Sequence, residues 1–442
     1  MKIRPLAVIA VTLVALTAAP LGPAAEAESA RSSWAPTSTQ PRSASDVTSD
    51  KRDGDTPKPR YTVAQGPTFT NPLDASSQRI NKKIVRVINH TRRGAIIRMA
   101  SWNFDSYRYV GALTAAHERG VSVRLIMART LAAAQGPGGP YGTLKRNLAG
   151  SGNDQRPAPQ RSWFRTCSHS CRGIGGAMHS KFYIFSRSGA SDRIVMNTSA
   201  NLTAAAARVQ WNDLFTVVGR KITYDSYLNV FNQMTLDRKA KYAQFTDGSI
   251  VGWFYPRPGR SDLVTDMLDK VQCKGAKGAG INGFTAIRVG MDVFNNERGA
   301  RIARQLKTLS NRGCNIRIVY SQAVGPSREI IKTMPNTHLV QDRDGDGSYD
   351  RYLHAKVMTI SGFYDGVRNE RILLNGSANW SGTAIQSDEQ GMIINRDAAE
   401  RAYTAWINDM FRTHLVSAPY NPELDPDLNQ RGRVDPYANM EF

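Results

Sequence analysis

The stretch Met178-His179-Ser180-Lys181 returns later in the chain as Leu353-His354-Ala355-Lys356. Each copy is followed by the same tripeptide, Ser199-Ala200-Asn201 in the first and Ser377-Ala378-Asn379 in the second. The offset between equivalent residues is nearly constant, 175 for the histidines (179 to 354) and 178 for the asparagines (201 to 379). Chance similarity does not preserve both order and spacing, so the chain contains an internal duplication. Two long copies predict two similar lobes, since a solenoid needs many short repeats.

The duplication extends well beyond these motifs. Residues 118–127 resemble residues 311–320 with an offset of 193 (120 to 313), so the first copy holds an 18-residue insertion (193 against 175) between residues 132 and 176. Each copy alternates apolar strand-like runs with helical stretches, a pattern that favours the α/β class. We predict two similar α-β-α sandwich lobes, residues 61–247 and 248–417, related by a pseudo-twofold axis.

The two ends of the chain differ from its middle. Lys2 and Arg4, an apolar run over residues 6–19 and the small-residue pattern at 25–27 indicate a signal peptide over residues 1–27. A retained membrane anchor is the alternative, although the run is short for a bilayer. Residues 28–60 have the composition of a disordered linker, and residues 418–442 that of an irregular surface tail. We therefore expect a secreted, extracellular protein, and a monomer.

The charge balance is strongly basic. The chain has 58 Lys and Arg against 37 Asp and Glu, a formal net charge of +21. Such a surplus attracts anionic partners over a distance. Nucleic acid, an anionic lipid surface and a small phosphate ester all fit this charge, so composition alone does not choose among them.

Four cysteines in an exported chain predict two disulfides, for which three pairings exist. We favour Cys167–Cys171 and Cys273–Cys314, because each pair then lies within one lobe. A zinc site around His169, between the first two cysteines, is the alternative, but the sequence offers no evident fourth ligand.

The duplicated motifs carry residues suited to phosphodiester chemistry. Cleavage of a phosphodiester needs a nucleophile, an acid for the leaving oxygen, and donors for the non-bridging oxygens. A histidine and the lysine two positions later point to one face of a strand. The candidate set is His179, His354, Lys181, Lys356, Asn201 and Asn379, with Ser199 and Ser377 in the same phosphate-binding turns.

These residues resemble the phospholipase D superfamily, whose motif pairs His-x-Lys with Gly-Ser-x-Asn twice in a chain. The resemblance covers roughly residues 61–415. It implies an active site between the lobes, a covalent phosphohistidine intermediate, and no cofactor for the chemistry. It also implies that the first-copy histidine, His179, is the nucleophile and that His354 is the general acid.

The chain departs from the family pattern in one respect. The family's aspartate five residues after the lysine is replaced by Ser186 and Ser361. A second acidic position of the family follows the asparagine and orients the catalytic histidine. Asp213 and Glu389 fit that position, with an offset of 176 between them (213 to 389). An ordinary surface acid is the alternative for each.

An acidic stretch precedes the second motif. Asp342, Asp344, Asp346 and Asp350 fall at positions 1, 3, 5 and 9 of a calcium loop, and Gly347 falls at position 6. Position 12 is Leu353, where a bidentate glutamate belongs. The stretch predicts either a structural calcium site or a polar turn.

The resulting function is a secreted phospholipase D that hydrolyses phospholipid head-group esters at a membrane surface. The alternative is a secreted nuclease of the same superfamily, which the basic charge favours. A third class, a non-catalytic binder of anionic polymers, does not explain two intact His-Lys-Asn sets.

Overall fold

The computed structural model describes residues 61–257, 259, 261–413, 415, 437, 440 and 441. The predicted signal peptide and linker, residues 1–60, lie outside these residues, as does most of the predicted tail. None of the helices in the described part is long and apolar enough to cross a bilayer.

The first lobe is built on a mixed sheet with the order β1-β10-β7-β6-β2-β4-β5. Its strands, together with the short β3, β8 and β9, are β1 (Gly66–Phe69), β2 (Ile96–Ser101), β3 (Phe104–Asp105), β4 (Ser122–Ala128), β5 (Trp163–Cys167), β6 (Lys181–Ser188), β7 (Ser191–Thr198), β8 (Leu202–Thr203), β9 (Gln210–Trp211) and β10 (Asp213–Val217). Its helices are α1 (Arg79–Asn89), α2 (Tyr107–Glu118), α3 (Arg129–Ala134), α4 (Pro140–Ala149), α5 (Ala204–Arg208) and α6 (Lys221–Met234).

The second lobe repeats this plan with the order β11-β12-β21-β20-β19-β14-β15-β16. Its strands are β11 (Ala243–Asp247), β12 (Ile250–Phe254), β13 (Val271–Gln272), β14 (Ala286–Phe294), β15 (Asn315–Ala323), β16 (Asn336–His338), β17 (Val340–Gln341), β18 (Arg351–Leu353), β19 (Lys356–Tyr364), β20 (Val367–Gly376) and β21 (Gln390–Asn395). Its helices are α7 (Leu263–Asp269), α8 (Asn296–Asn311), α9 (Pro326–Ile331) and α10 (Asp397–Arg412).

The two sheets share one topology. The order β10-β7-β6-β2-β4-β5 corresponds strand for strand to β21-β20-β19-β14-β15-β16, with the same parallel and antiparallel pairs. The register also agrees, because Ser101 pairs with Lys181 as Met291 pairs with Lys356. The predicted α/β fold of two similar lobes is therefore confirmed.

The apolar core has three main parts. One lies on the α1 and α2 side of the first sheet, and another on the α7 and α8 side of the second sheet. The third joins the lobes and contains residues of both sheets together with α6 and α10, among them Phe231 and Ile407. A core shared in this way stabilises the lobe interface, because apolar area buried there is lost if the lobes part.

Two details refine the sequence predictions. Strand β11 pairs with β12 in the second sheet, so the second lobe begins by Ala243 rather than at residue 248. Disulfides join Cys167 to Cys171 and Cys273 to Cys314, as predicted, and this pairing excludes zinc binding by the first two thiols.

Candidate active site

His179 is held at the lobe interface by the other copy of the repeat. Its backbone N–H donates to the carbonyl of Asp388 at 3.1 Å, which brings the ring beside the next residue, Glu389. Nδ1 donates to Glu389 Oε1 at 2.8 Å, and Ser377 Oγ donates to the other carboxylate oxygen. Nε2 is buried and finds no hydrogen-bond partner among the described residues. Because the ring proton is on Nδ1 and is donated to the carboxylate, Nε2 has a lone pair that can react.

His354 is held in the mirrored way. It follows β18, which pairs with β9 of the first copy, and its N–H donates to the carbonyl of Trp211 at 3.0 Å. Its Nδ1 donates to Asn212 Oδ1 at 2.9 Å, and Ser199 Oγ donates to the same oxygen at 2.8 Å. Nε2 again lacks a hydrogen-bond partner within the described part of the chain. Each histidine therefore takes its orienting group from the opposite copy.

Asp213 does not orient a histidine, so that prediction is wrong. Its Oδ2 accepts hydrogen bonds from Asn375 Nδ2 at 3.0 Å and Tyr403 Oη at 2.7 Å, at the interface of the lobes. The error is one residue of register, because Asn212 and not Asp213 is the counterpart of Glu389, an offset of 177 (212 to 389). The serines of the two Ser-Ala-Asn motifs show this equivalence, because Ser199 donates to Asn212 as Ser377 donates to Glu389.

The two lysines are buried under the histidines. Lys181 Nζ donates to the carbonyl of His179 at 2.7 Å, and Lys356 Nζ to that of His354 at 2.6 Å. Burial lowers the pKa of Lys181 to about 7, a shift that Glu389 partly opposes. Lys356 also donates to Asp292 Oδ2 at 2.8 Å. The lysines that could bind a phosphate therefore lie at the base of the site. In the second copy, Asp292 already compensates part of the positive charge of Lys356.

Asp292 is an unforeseen member of the site. The strand register places it at the position that Trp102 occupies in the first copy. Asp292 is fully buried, and its Oδ2 lies 4.0 Å from His354 Nε2. Burial raises the pKa of this carboxyl group to about 6. Trp102 instead packs its ring edge-on to His179, with centroids 5.2 Å apart. The offset between the two copies is 190 residues at this point (102 to 292), and it would have identified Trp102 and Asp292 as equivalent positions.

The surroundings of both histidines favour the neutral imidazole. Burial lowers the pKa of His179 to about 4, with Glu389 acting in the opposite direction. Burial, then Lys356 and Lys181, hold the pKa of His354 well below its usual range. A neutral imidazole with Nδ1–H engaged presents an Nε2 lone pair to the site, which is the state a nucleophile or a general base requires.

The two motif asparagines differ in their surroundings. Asn379 lines a cavity at the lobe interface that His179, Glu389 and Trp102 also line, and its Oδ1 has no hydrogen-bond partner among the described residues. Asn201 is fully buried and donates from Nδ2 to Glu441 Oε2 at 3.0 Å. Ser199 and Ser377 donate to Asn212 and Glu389, the side chains that orient the histidines. Both serines therefore lie on the Nδ1 side of the imidazole rings.

The remaining predicted positions are structural in their contacts. Ser186 Oγ accepts the N–H of Ile96, and Ser361 Oγ accepts that of Gly280, so both hold backbone in place. Oxygen atoms of Asp342, Asp344 and Asp350 lie within 4.8 Å of one another. Asp346 does not belong to this group, and its carboxylate accepts the N–H of Ser348.

Comparison with known proteins identifies the family of the chain. The family model described as cardiolipin synthase, phospholipase D-like domain, matches residues 84–235 and 283–412, more than half of the chain. The chain belongs to the phospholipase D-like family. The two matched segments correspond to the two lobes, each with one His-x-Lys, and the family's members are phosphodiesterase or phosphotransferase enzymes.

Among the similar solved structures, one shares the fold of this chain at low identity. Phosphatidylserine synthase from Haemophilus influenzae has 13% identity and a TM-score of 0.53, over 79% of this chain and 86% of that one. Polyphosphate kinase from Porphyromonas gingivalis has 13% identity and a TM-score of 0.48, over 75% of this chain and 45% of that one. The phospholipase D family member Nuc from Salmonella typhimurium has 17% identity and a TM-score of 0.29, over 39% and 93%. No curated protein matches the chain.

The phospholipase D-like site differs between its two halves. One histidine is backed by a carboxylate, Glu389, and the other by an amide, Asn212. A carboxylate on Nδ1 stabilises the positive ring that forms when Nε2 bonds to phosphorus or to a proton. The amide provides orientation with no net charge, so the two histidines are not chemically equivalent.

Proposed function

We propose that the protein is a phospholipase D that hydrolyses phospholipid head-group esters through a phosphohistidine at His179. The observation that carries this proposal is the pair of buried imidazoles, one from each lobe, that share one interface with both Nδ1 atoms engaged and both Nε2 atoms without a partner among the described residues. One nucleophile and one acid on a single phosphate require such a pair.

The first step transfers the phosphatidyl group to the enzyme. His179 Nε2 attacks phosphorus, so that an N–P bond forms as the P–O bond to the head group breaks. The leaving oxygen takes a proton from His354, whose pKa rises when the anionic diester is bound next to it. Lys181, Lys356 and the two motif asparagines donate to the non-bridging oxygens, where charge develops.

The second step releases the product. His354, now neutral, removes a proton from water, and the oxygen attacks phosphorus as the N–P bond breaks. Nδ1 of His179 keeps its proton throughout, and Glu389 compensates the positive ring of the intermediate. The products are a phosphatidate and the free head-group alcohol.

The proposal includes the setting of the reaction. The protein is a secreted monomer that acts on phospholipid at a membrane surface, and calcium bound by the Asp342 loop serves stability alone. Two disulfides support an oxidising compartment. The lysines and asparagines already supply the donors and positive charge that a metal would give a phosphate.

A nuclease of the same family is the second candidate, and the net charge of +21 favours it. The strong attraction of basic proteins to polyphosphate chains is independent of sequence. The same two-histidine mechanism would then act on a nucleic-acid diester.

The test compares phosphatidylcholine vesicles with plasmid DNA for the wild-type protein, His179→Ala and a control, His169→Ala, whose ring is exposed. We expect release of choline by the wild type and the control, and a loss of at least about a thousandfold in His179→Ala, as for removal of other nucleophiles. Cleavage of DNA without release of choline would replace the lipid substrate with nucleic acid. Equal activity of wild type and His179→Ala would overturn the mechanism.

A further inference from the structure

A carboxylate from the far end of the chain lies among the motif side chains of the first copy. Glu441 Oε2 accepts hydrogen bonds from Asn201 Nδ2 and Gln210 Nε2, both at 3.0 Å. Its Oε1 accepts from Asn103 Nδ2 at 3.3 Å. Three amide groups therefore surround one carboxylate, and one of them belongs to the Ser-Ala-Asn motif.

This placement is anchored by neighbouring residues. The backbone N–H of Glu441 donates to Tyr352 Oη at 2.7 Å. Met440 is 8% exposed and packs with Val340, Tyr349 and Tyr352 in a small apolar cluster. The expected surface tail is therefore wrong for residues 440 and 441, which pack into the second lobe next to β18.

Two of the three amide donors are found in the first copy alone, whereas Asn201 has Asn379 as its counterpart. The repeat places Val293 where the first copy has Asn103, and Ser387 where it has Gln210. Asn201 and Gln210 are each at most 1% exposed. Gln210 Nε2 also donates to Tyr352 Oη at 2.6 Å, so Glu441 accepts the second of its two amide hydrogens. Buried amides without an acceptor are costly, which favours an oxyanion in their midst.

We propose that Asn103, Asn201 and Gln210 form a binding subsite for an oxyanion, the phosphate of the substrate, and that Glu441 occupies it as an internal competitor. The identity of the oxyanion rests on the proposed function, whereas the subsite itself does not. A carboxylate and a phosphate both offer oxygens that accept amide hydrogens. The substrate must displace Glu441 before its phosphate can reach Asn201.

The electrostatics of the site agree with such a competitor. Burial lowers the pKa of Lys181 and raises that of Asp292, and the negative charge of Glu441 makes a smaller contribution that raises both. A bound phosphate would supply the same charge to Lys181. An occupied form favoured about ten to one over the open form weakens the apparent affinity for an anion about tenfold.

The experiment measures binding of inorganic phosphate to the full chain by calorimetry. We expect Glu441→Ala to bind phosphate about tenfold more tightly than the wild type. Glu441→Gln, which keeps the shape and removes the charge, should share part of this gain. Glu118→Ala, at an exposed position on α2, is the control for a change in net charge and should leave affinity unaltered. Equal affinity in all four proteins, or no binding in any, would overturn the subsite and its competitor.

Kinetics separate this inference from the proposed function. Glu441→Ala should lower KM for a diester while kcat stays close to that of the wild type. Tighter phosphate binding without any diester cleavage would refute the proposed function and leave the subsite standing. Cleavage that depends on His179, with unchanged phosphate affinity in Glu441→Ala, would refute the competitor and leave the function standing.

Discussion

At the scale of single residues, the two halves of the site carry different groups on equivalent positions. Glu389 and Asn212 both accept from a histidine Nδ1, but only the glutamate carries charge. Asp292 and Trp102 both adjoin a His-x-Lys pair, but only the aspartate is ionisable. His179 is therefore the better candidate for carrying a phosphoryl group, since the positive ring of that intermediate faces a carboxylate.

Asn212→Asp tests the amide at His354. A carboxylate beside Nδ1 favours the protonated ring and raises the pKa of His354. A general acid must be protonated, so activity falls as pH rises through its pKa. We expect the alkaline limb of the kcat/KM profile to move to higher pH. Asn212→Ala is the control, because it removes the acceptor without adding charge, and an unmoved limb in a folded Asn212→Asp protein would contradict the assigned role of His354.

At the scale of elements, short crossings between the lobes position the histidines. The parallel pair β9 and β18 leads to His354, and the single bridge from Met178 to Asp388 leads to His179. Each histidine immediately follows a crossing, so its ring is fixed with respect to the opposite lobe. Neither His-x-Lys strand alone places an orienting group on its own histidine.

The two disulfides are expected to contribute unequally to stability. Cys273–Cys314 closes a separation of 41 residues and Cys167–Cys171 one of 4. Chain-entropy arguments give roughly 4 kcal/mol for the longer loop and roughly 2 kcal/mol for the shorter. Serine pairs at each disulfide should lower the free energy of unfolding by these amounts in denaturant titrations. A larger loss from the shorter loop would show that native contacts, rather than loop entropy, dominate.

At the scale of the whole molecule, the net charge of +21 attracts the protein to an anionic surface before the two are in contact. Salt screens such a field, with a Debye length of about 10 Å at 0.1 M. We expect the affinity for vesicles that contain anionic lipid to fall steadily as salt is added. Zwitterionic vesicles are the control and should show little change. A flat response with anionic vesicles would remove the charge from the capture step.

The sequence by itself determined the duplication, the alternation of strands and helices in each lobe and the His-Lys-Asn sets, and it favoured one of three disulfide pairings. These depend on local periodicity and on motifs whose spacing repeats, both of which are readable along the chain. The matched stretches 118–127 and 311–320, for example, run into the equivalent strands β4 and β15.

Only the tertiary structure decided which groups meet. His179 and Glu389 are 210 residues apart, and Asn201 and Glu441 are 240 apart, so these contacts follow from the docking of lobes and tail. The choice of Asn212 over Asp213 is finer still. Successive side chains at the start of a strand point to opposite faces, so one residue of register decides whether a group reaches His354 or the core between the lobes.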